Sequence, residues 1–210
     1  MPEYFRENIN NKIQISVWKV KETENELVNG LELSQGALER LYQRKSQVHR
    51  KGFLAVRQIL KSFDVDPLIH QYNENGAPFL TDGRHLSISH TKDTAAVAIS
   101  LDPVGIDLEH YKEKIKKIAP RFLHKNEIKD SEKSHDIKYL TQIWTAKEAL
   151  YKVHCKSGIH FRTDLYVKPF KSNAHFGLGS INQNGKTYIY NVYFRFFENF
   201  CLSLATLKNN

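Results

Sequence analysis

Three apolar runs close the chain, at about Ala174–Ile181, Lys186–Phe196 and Phe200–Leu207, with turn signals at Asn184-Gly185 and Glu198-Asn199 between them. Connections this short join antiparallel strands, because parallel neighbours need a crossover of about a dozen residues or more. The tail therefore reads as a β-meander. The first half repeats the theme. His85–Ser89 and Ala95–Leu101 are joined through Thr91–Asp93, and at Ile13–Val20 the residues Ile13, Ile15 and Val17 alternate with Gln14 and Ser16. A helical region is predicted from Ser34, as N-cap, to Phe63. Leu38, Leu41 and Tyr42 form its first stripe, and Phe53, Val56, Ile59, Leu60 and Phe63 restore the spacing beyond a candidate break at Gly52. Asp66-Pro67 ends it, and Asn73–Pro78 reads as a loop with an Asn-Gly turn. Val104–Glu109 reads as a further strand, Tyr111–Lys138 as short helices and loops, and Asp136–His154 as a stronger helix. Each half thus has helices and a small antiparallel group, punctuated at Asp102-Pro103. The expected class is α+β, with two similar lobes at residues 1–102 and 103–210, each a small mainly antiparallel sheet packed with helices.

The chain has 210 residues, 40% of them hydrophobic, which is enough for a real core. No apolar run approaches the length of a transmembrane helix, and Met1–Asn11 is too polar for a signal core. Cys155 and Cys201 are too few for a disulfide framework, so reduced thiols and a cytoplasmic location are expected. The formal charge of +8 falls entirely beyond residue 102, which implies an acidic partner or an anionic ligand for that half.

Three short segments carry chemistry. In Val104-Gly105-Ile106-Asp107-Leu108-Glu109, alternation puts Val104, Ile106 and Leu108 on one face and Gly105, Asp107 and Glu109 on the other. Two carboxylates at i and i+2 repel unless a cation lies between them, and a hard divalent metal such as Mg²⁺ takes such oxygens. An edge strand with a solvated acidic face would show the same pattern. In Trp144-Thr145-Ala146-Lys147-Glu148-Ala149-Leu150-Tyr151-Lys152, Glu148 and Lys152 share a helix face, as any surface ion pair would. Ser89 and His90 fall at a strand end, where donors can meet a ligand; a lone histidine is also often structural.

Taken in order, Ser89-His90, Gly105-Ile106-Asp107-Leu108-Glu109 and Trp144 to Lys152 resemble the 4′-phosphopantetheinyl transferase superfamily, whose motifs run SH, GIDxE and W(S/T)xKE(A/S)xxK. The length resembles its two-lobed monomeric branch, typified by surfactin synthetase activators. The resemblance implies that Asp107, Glu109 and Glu148 bind Mg²⁺, and that Lys152, Ser89 and His90 contact coenzyme A. Lys152 and His90 would then act on its phosphates, with Glu148 as the base. It assigns coenzyme A to the first lobe, and the metal strand and carrier docking to the second. Gly76-Ala77-Pro78 resembles a Gly-Lys-Pro loop near the adenine, but Ala77 stands where Lys is common. Arg40 and Arg50 are then the candidates for the 3′-phosphate, since arginine's fork suits phosphate.

The implied reaction moves phosphopantetheine from coenzyme A to a serine of an acidic acyl or peptidyl carrier protein, releasing 3′,5′-ADP. Docking is expected near residues 111–138, where nine basic residues interleave with Ile115, Ile118, Phe122 and Leu123. A monomer that binds neither membrane nor nucleic acid is expected. Two other readings stay open: a coenzyme A-binding pseudo-enzyme of the same fold, and a basic nucleic-acid-binding module.

Overall fold

The computed structural model describes residues 3–74, 76–128, 133–172 and 174–208. It divides into two compact units, Met1–Asp102 and Pro103–Asn210.

The first unit is built on a four-stranded antiparallel sheet in the order β1 (Glu3–Ile9), β2 (Ile13–Lys19), β6 (Thr94–Ser100), β5 (His85–His90). A small hairpin, β3 (His70–Tyr72) with β4 (Pro78–Leu80), lies between β2 and β5 in sequence. The predicted long helical region is two helices, α2 (Gln35–Tyr42) and α3 (Gln47–Ser62). Ser34 caps α2 as expected, its hydroxyl accepting from Ala37 N–H. The break falls at residues 43–46, while Gly52 sits inside an unbroken α3. A short helix, α1 (Glu24–Val28), begins with a full capping box between Thr23 and Glu26. Strand β1 has a polar sequence that hides it, because most of its side chains stay at least partly exposed. Asn10 and Asn11, both at positive φ, turn the chain from β1 into β2. The core joins Phe53, Leu54, Val56 and Ile59 of α3 to Trp18, Ala95, Val97 and Ile99 of the sheet.

The second unit is a five-stranded antiparallel sheet in the order β7 (Val104–His110), β11 (Phe200–Leu207), β10 (Lys186–Phe196), β9 (Phe176–Gln183), β8 (Leu165–Val167). Asn184 and Gly185, both at positive φ, form the two-residue hairpin expected between β9 and β10. Helix α4 covers Lys114–Phe122, and α5 covers Ile137–His154 with the Asp136 carboxylate accepting from two first-turn N–H groups. Ala149, Leu150 and Val153 of α5 pack with Ile181, Tyr190, Val192 and Phe194 of the sheet. The fold is thus α+β with antiparallel sheets in both units, as the periodicity implied.

Candidate active site

The second unit's site begins with a glycine. A Cβ on Gly105 would lie 2.0 Å from the Ala149 carbonyl oxygen and 2.7 Å from the Val153 nitrogen. Any side chain there would collide with helix backbone, so Gly105 lets α5 lie directly on β7. Gly179 admits the same helix elsewhere on the sheet, where a Cβ would come within 2.6 Å of Leu150 Cδ1. The Gly105–Asp107–Glu109 face is therefore no solvated acidic edge. Asp107 is 7% exposed, and Glu109 is half-buried.

Close packing brings the two motifs together. Lys152 Nζ donates to Asp107 Oδ1 at 2.8 Å and to the Ile106 carbonyl at 2.9 Å. Burial, reinforced by the Asp107 charge and less strongly by Glu109, pushes the Glu148 carboxyl up to about 7, with Lys152 opposing. Burial and then Asp107 raise Glu109 as well, while Lys112 lowers it. Asp107, Glu109 and Glu148 thus interact as one electrostatic group. Among the described residues, no three acidic, histidine or cysteine side chains are gathered tightly enough to hold a metal ion as they stand. The donor chemistry nonetheless fits a hard divalent cation: the groups are oxygen-only, partly desolvated and mutually repelling.

Next to the carboxylates runs a neutral polar strip. Asp107 pairs in register with Ser203, and Glu109 with Cys201. Thr145 of α5 reaches across to Ser203 at 2.7 Å. Burial pushes the Cys201 thiol up to about 12, and both Cys201 and Cys155 are free thiols.

The other side of α5 is a clamp. Lys147 is fully buried; its ammonium donates to the carbonyls of Phe122, Phe161 and Leu165 at 2.5, 2.8 and 2.9 Å, and pairs with Glu127 at 2.9 Å. Glu127 also accepts from His124 and Val167 N–H groups. Trp144 packs between Phe122 and Phe161. Within one nine-residue motif, Trp144 and Lys147 fasten the helix to its surroundings, while Glu148 and Lys152 belong to the carboxylate group. Sequence spacing singled out Glu148 and Lys152. It gave no sign of Glu127, whose importance comes from a contact twenty residues away.

In the first unit, Ser89 is buried at the end of β5 and His90 is exposed beside it. A Cβ on Gly52 would lie 3.5 Å from His90 Cγ, so the ring rests over an α3 glycine. Arg40 places its guanidinium 4.0 Å from the Tyr72 ring centroid. Arg50 pairs with Glu24 at 2.8 Å and donates to the carbonyls of Arg44 and Lys45, bracing the α2–α3 connection. Gly76, at φ +77°, sits in a loop closed by Asn73, whose side-chain oxygen accepts from Ala77 N–H.

The basic segment differs from its expected form. Ile115 and Phe122 are buried, and Ile118 and Leu123 pack against the same core, so none of the four forms an exposed apolar stripe. The exposed positions are Lys112, Lys114, Lys117, Arg121, Lys125 and Lys138. Lys129, Asp130 and Glu132 lie outside the described residues. No described helix is long and apolar enough to cross a membrane.

Residues 103–203 match the family model of the 4′-phosphopantetheinyl transferase superfamily. The chain is 35% identical over 88 residues to the 4′-phosphopantetheinyl transferase gsp of Aneurinibacillus migulanus, covering 40% of this chain and 37% of that one. It is 28% identical over 147 residues to a 4′-phosphopantetheinyl transferase of Bacillus subtilis, covering 65% of each. It is 29% identical over 123 residues to the 4′-phosphopantetheinyl transferase Sfp of Bacillus subtilis (strain 168), covering 54% of this chain and 55% of that one. The matched stretches span less than two thirds of the length of these relatives.

Proposed function

From its membership of the 4′-phosphopantetheinyl transferase superfamily, in the Sfp-like branch, we propose that this chain transfers phosphopantetheine from coenzyme A to a serine of an acidic acyl or peptidyl carrier protein, releasing 3′,5′-ADP. The observation that carries the reading is the close packing at Gly105 that lays α5 on β7 and sets Glu148 and Lys152 beside Asp107. A carboxyl held at about 7 beside two other carboxylates suits both a metal ligand and a base.

Asp107, Glu109 and Glu148 would hold Mg²⁺. When bound, the ion would supply positive charge for the pyrophosphate and for the leaving oxygen. Lys152, near these carboxylates, adds a charge-assisted donor to a phosphate oxygen, and His90 another. Glu148 takes the proton of the attacking serine, directly or through a water. The β-phosphorus gains the serine oxygen and loses the bridging oxygen, which leaves on 3′,5′-ADP. Such chemistry depends on positioning and charge neutralisation, which a rigid helix on a strand provides. Arg40, Arg50, Gly76 and Ser89 complete the coenzyme A contacts, Arg40 being the more available of the two arginines. The protein would work as a cytoplasmic monomer, with its exposed lysines meeting the carrier.

Calorimetry with coenzyme A, with and without Mg²⁺, tests the reading at its base. Mg²⁺-dependent binding is expected. Metal-independent binding without turnover would indicate a pseudo-enzyme. Absence of binding, with tight salt-sensitive binding of an oligonucleotide, would indicate a nucleic-acid module.

A further inference from the structure

The first unit carries a half-open cavity of about 410 Å³ that the transferase reading does not use. It is bounded by the segment entering α2, the C-terminal half of α3 and the chain from Asp64 to His70. Leu33, Leu60 and Val65 give it apolar walls, and its size suits a small organic ligand.

Two buried polar groups line it. Arg57 is 7% exposed. Its Nη2 donates to Tyr72 Oη at 3.0 Å, its Nη1 donates to the Phe53 carbonyl at 3.3 Å, and its Cζ lies 3.3 Å from the Phe53 ring centroid. Its Nε is buried without a hydrogen-bond partner, and among the described residues no carboxylate forms an ion pair with it. His70, 9% exposed, has its Nε2 buried without a partner. Burial, with Arg57 and Arg40 close by, holds the imidazole down at about 3, so it is neutral. Burial also lowers Arg57, to about 10, so it remains a cation at neutral pH. A buried cation without a counter-charge is costly, and so is each orphaned donor.

We propose that this cavity is a binding site for a small monocarboxylate with an apolar body, its carboxylate received by Arg57 and His70. Arginine's fork fits carboxylate and phosphate alike. Glu32, Asp64 and Asp66 also line the cavity, against Lys61 alone among other cations, so a doubly charged phosphate is disfavoured. The leucine and valine walls favour an apolar body. His70 Nε2, carrying the proton, donates to the second carboxylate oxygen. The site lies away from the His90 contact, since Gly52, under His90, is eight residues before Leu60, about 12 Å along the helix axis, and it adjoins Arg40, which stacks on the Tyr72 ring that Arg57 hydrogen-bonds.

The test is a titration of the isotope-labelled full chain with sodium benzoate, benzamide and inorganic phosphate, followed by NMR at the arginine Nε–Hε signals. The Arg57 signal is identified by its loss in Arg57→Lys. Benzoate is expected to shift it saturably, with affinity roughly tenfold or more above that of benzamide or phosphate. Filling the cavity with Ala37→Trp, or with Leu33→Trp should the first variant not fold, should abolish the shift while signal dispersion remains native. Equal response to benzamide, tighter binding of phosphate, no saturable shift, or an undiminished shift in a folded cavity-filled variant would each overturn the proposal.

Discussion

At the scale of single residues, Glu148 shows a conflict between stability and function. Its carboxyl is held at about 7 in the folded chain against 4.5 ordinarily. Above pH 7 it is charged in both folded and unfolded states, and only the folded state bears the cost of burial and repulsion. That cost is relieved as pH falls through 7 and is gone below 4.5. Glu148→Gln should therefore stabilise the metal-free protein at pH 8, by on the order of 1–3 kcal/mol, and so raise its melting temperature, and should do little below pH 4.5. The same change should cut turnover by about 10²-fold or more. Thermal denaturation at the two pH values, with steady-state rates, checks both halves. Because metal binding needs the carboxylate, Mg²⁺ affinity should fall as pH drops below about 7. Raising Mg²⁺ should accordingly move the acid limb of the rate profile to lower pH, and an acid limb that ignores Mg²⁺ would contradict the ligand assignment. The Asp107–Glu109 alternation and the Glu148–Lys152 spacing were readable from the sequence because strand and helix periods set them. Ordinary spacing could not show whether those acids were solvated; the impossible Cβ at Gly105 decides it.

At the scale of elements, α5 is held from two sides, and each side predicts a different failure. Gly105→Ala forces a methyl into the Ala149 carbonyl, so α5 must move off β7. A loss of about 1–3 kcal/mol in denaturant melts is expected, together with a loss of activity beyond what the unfolded fraction explains. Lys147→Met breaks the buried pair and leaves Glu127 charged without its cation. The expected cost is about 3–5 kcal/mol, with the residual folded protein keeping the Mg²⁺ dependence of the parent. Unchanged stability in Lys147→Met would contradict the clamp. Elements with strong periodicity, such as β10, β11 and α5, were legible to within a few residues. Strand β1 was not, because its exposed face is polar, and β8 was not, because three residues carry no period. Gly52 looked like a break yet lies inside α3, where the missing side chain leaves room for the His90 ring.

At the scale of the whole molecule, charge is the remaining signal. Nine basic and five acidic residues lie between Tyr111 and Lys138, and most of the basic ones described are exposed. Carrier association should slow as salt rises, since exposed charges are screened over roughly 8 Å at physiological ionic strength. Lys112 is a poor choice for testing this, because it acts on Glu109. Reversing Lys114, Lys117 and Arg121 to Glu should instead raise the KM for carrier and spare that for coenzyme A. Steady-state kinetics with each substrate varied in turn, at two salt concentrations, reads the outcome. The charge imbalance was visible in the sequence, but the inward turn of Ile115 and Phe122 was not, since interleaved basic and apolar residues fit a docking stripe and an amphipathic helix equally well. The central claim is that Asp107 and Glu148 serve phosphopantetheine transfer. Its most direct test is intact-mass measurement of an apo-carrier incubated with coenzyme A, Mg²⁺ and either the parent chain or Asp107→Ala. The parent should add one phosphopantetheine group to the carrier serine, and Asp107→Ala, folded by circular dichroism, should add none in the same time. An unmodified carrier with the parent across a panel of acyl and peptidyl carriers, or equal modification by both proteins, would contradict it.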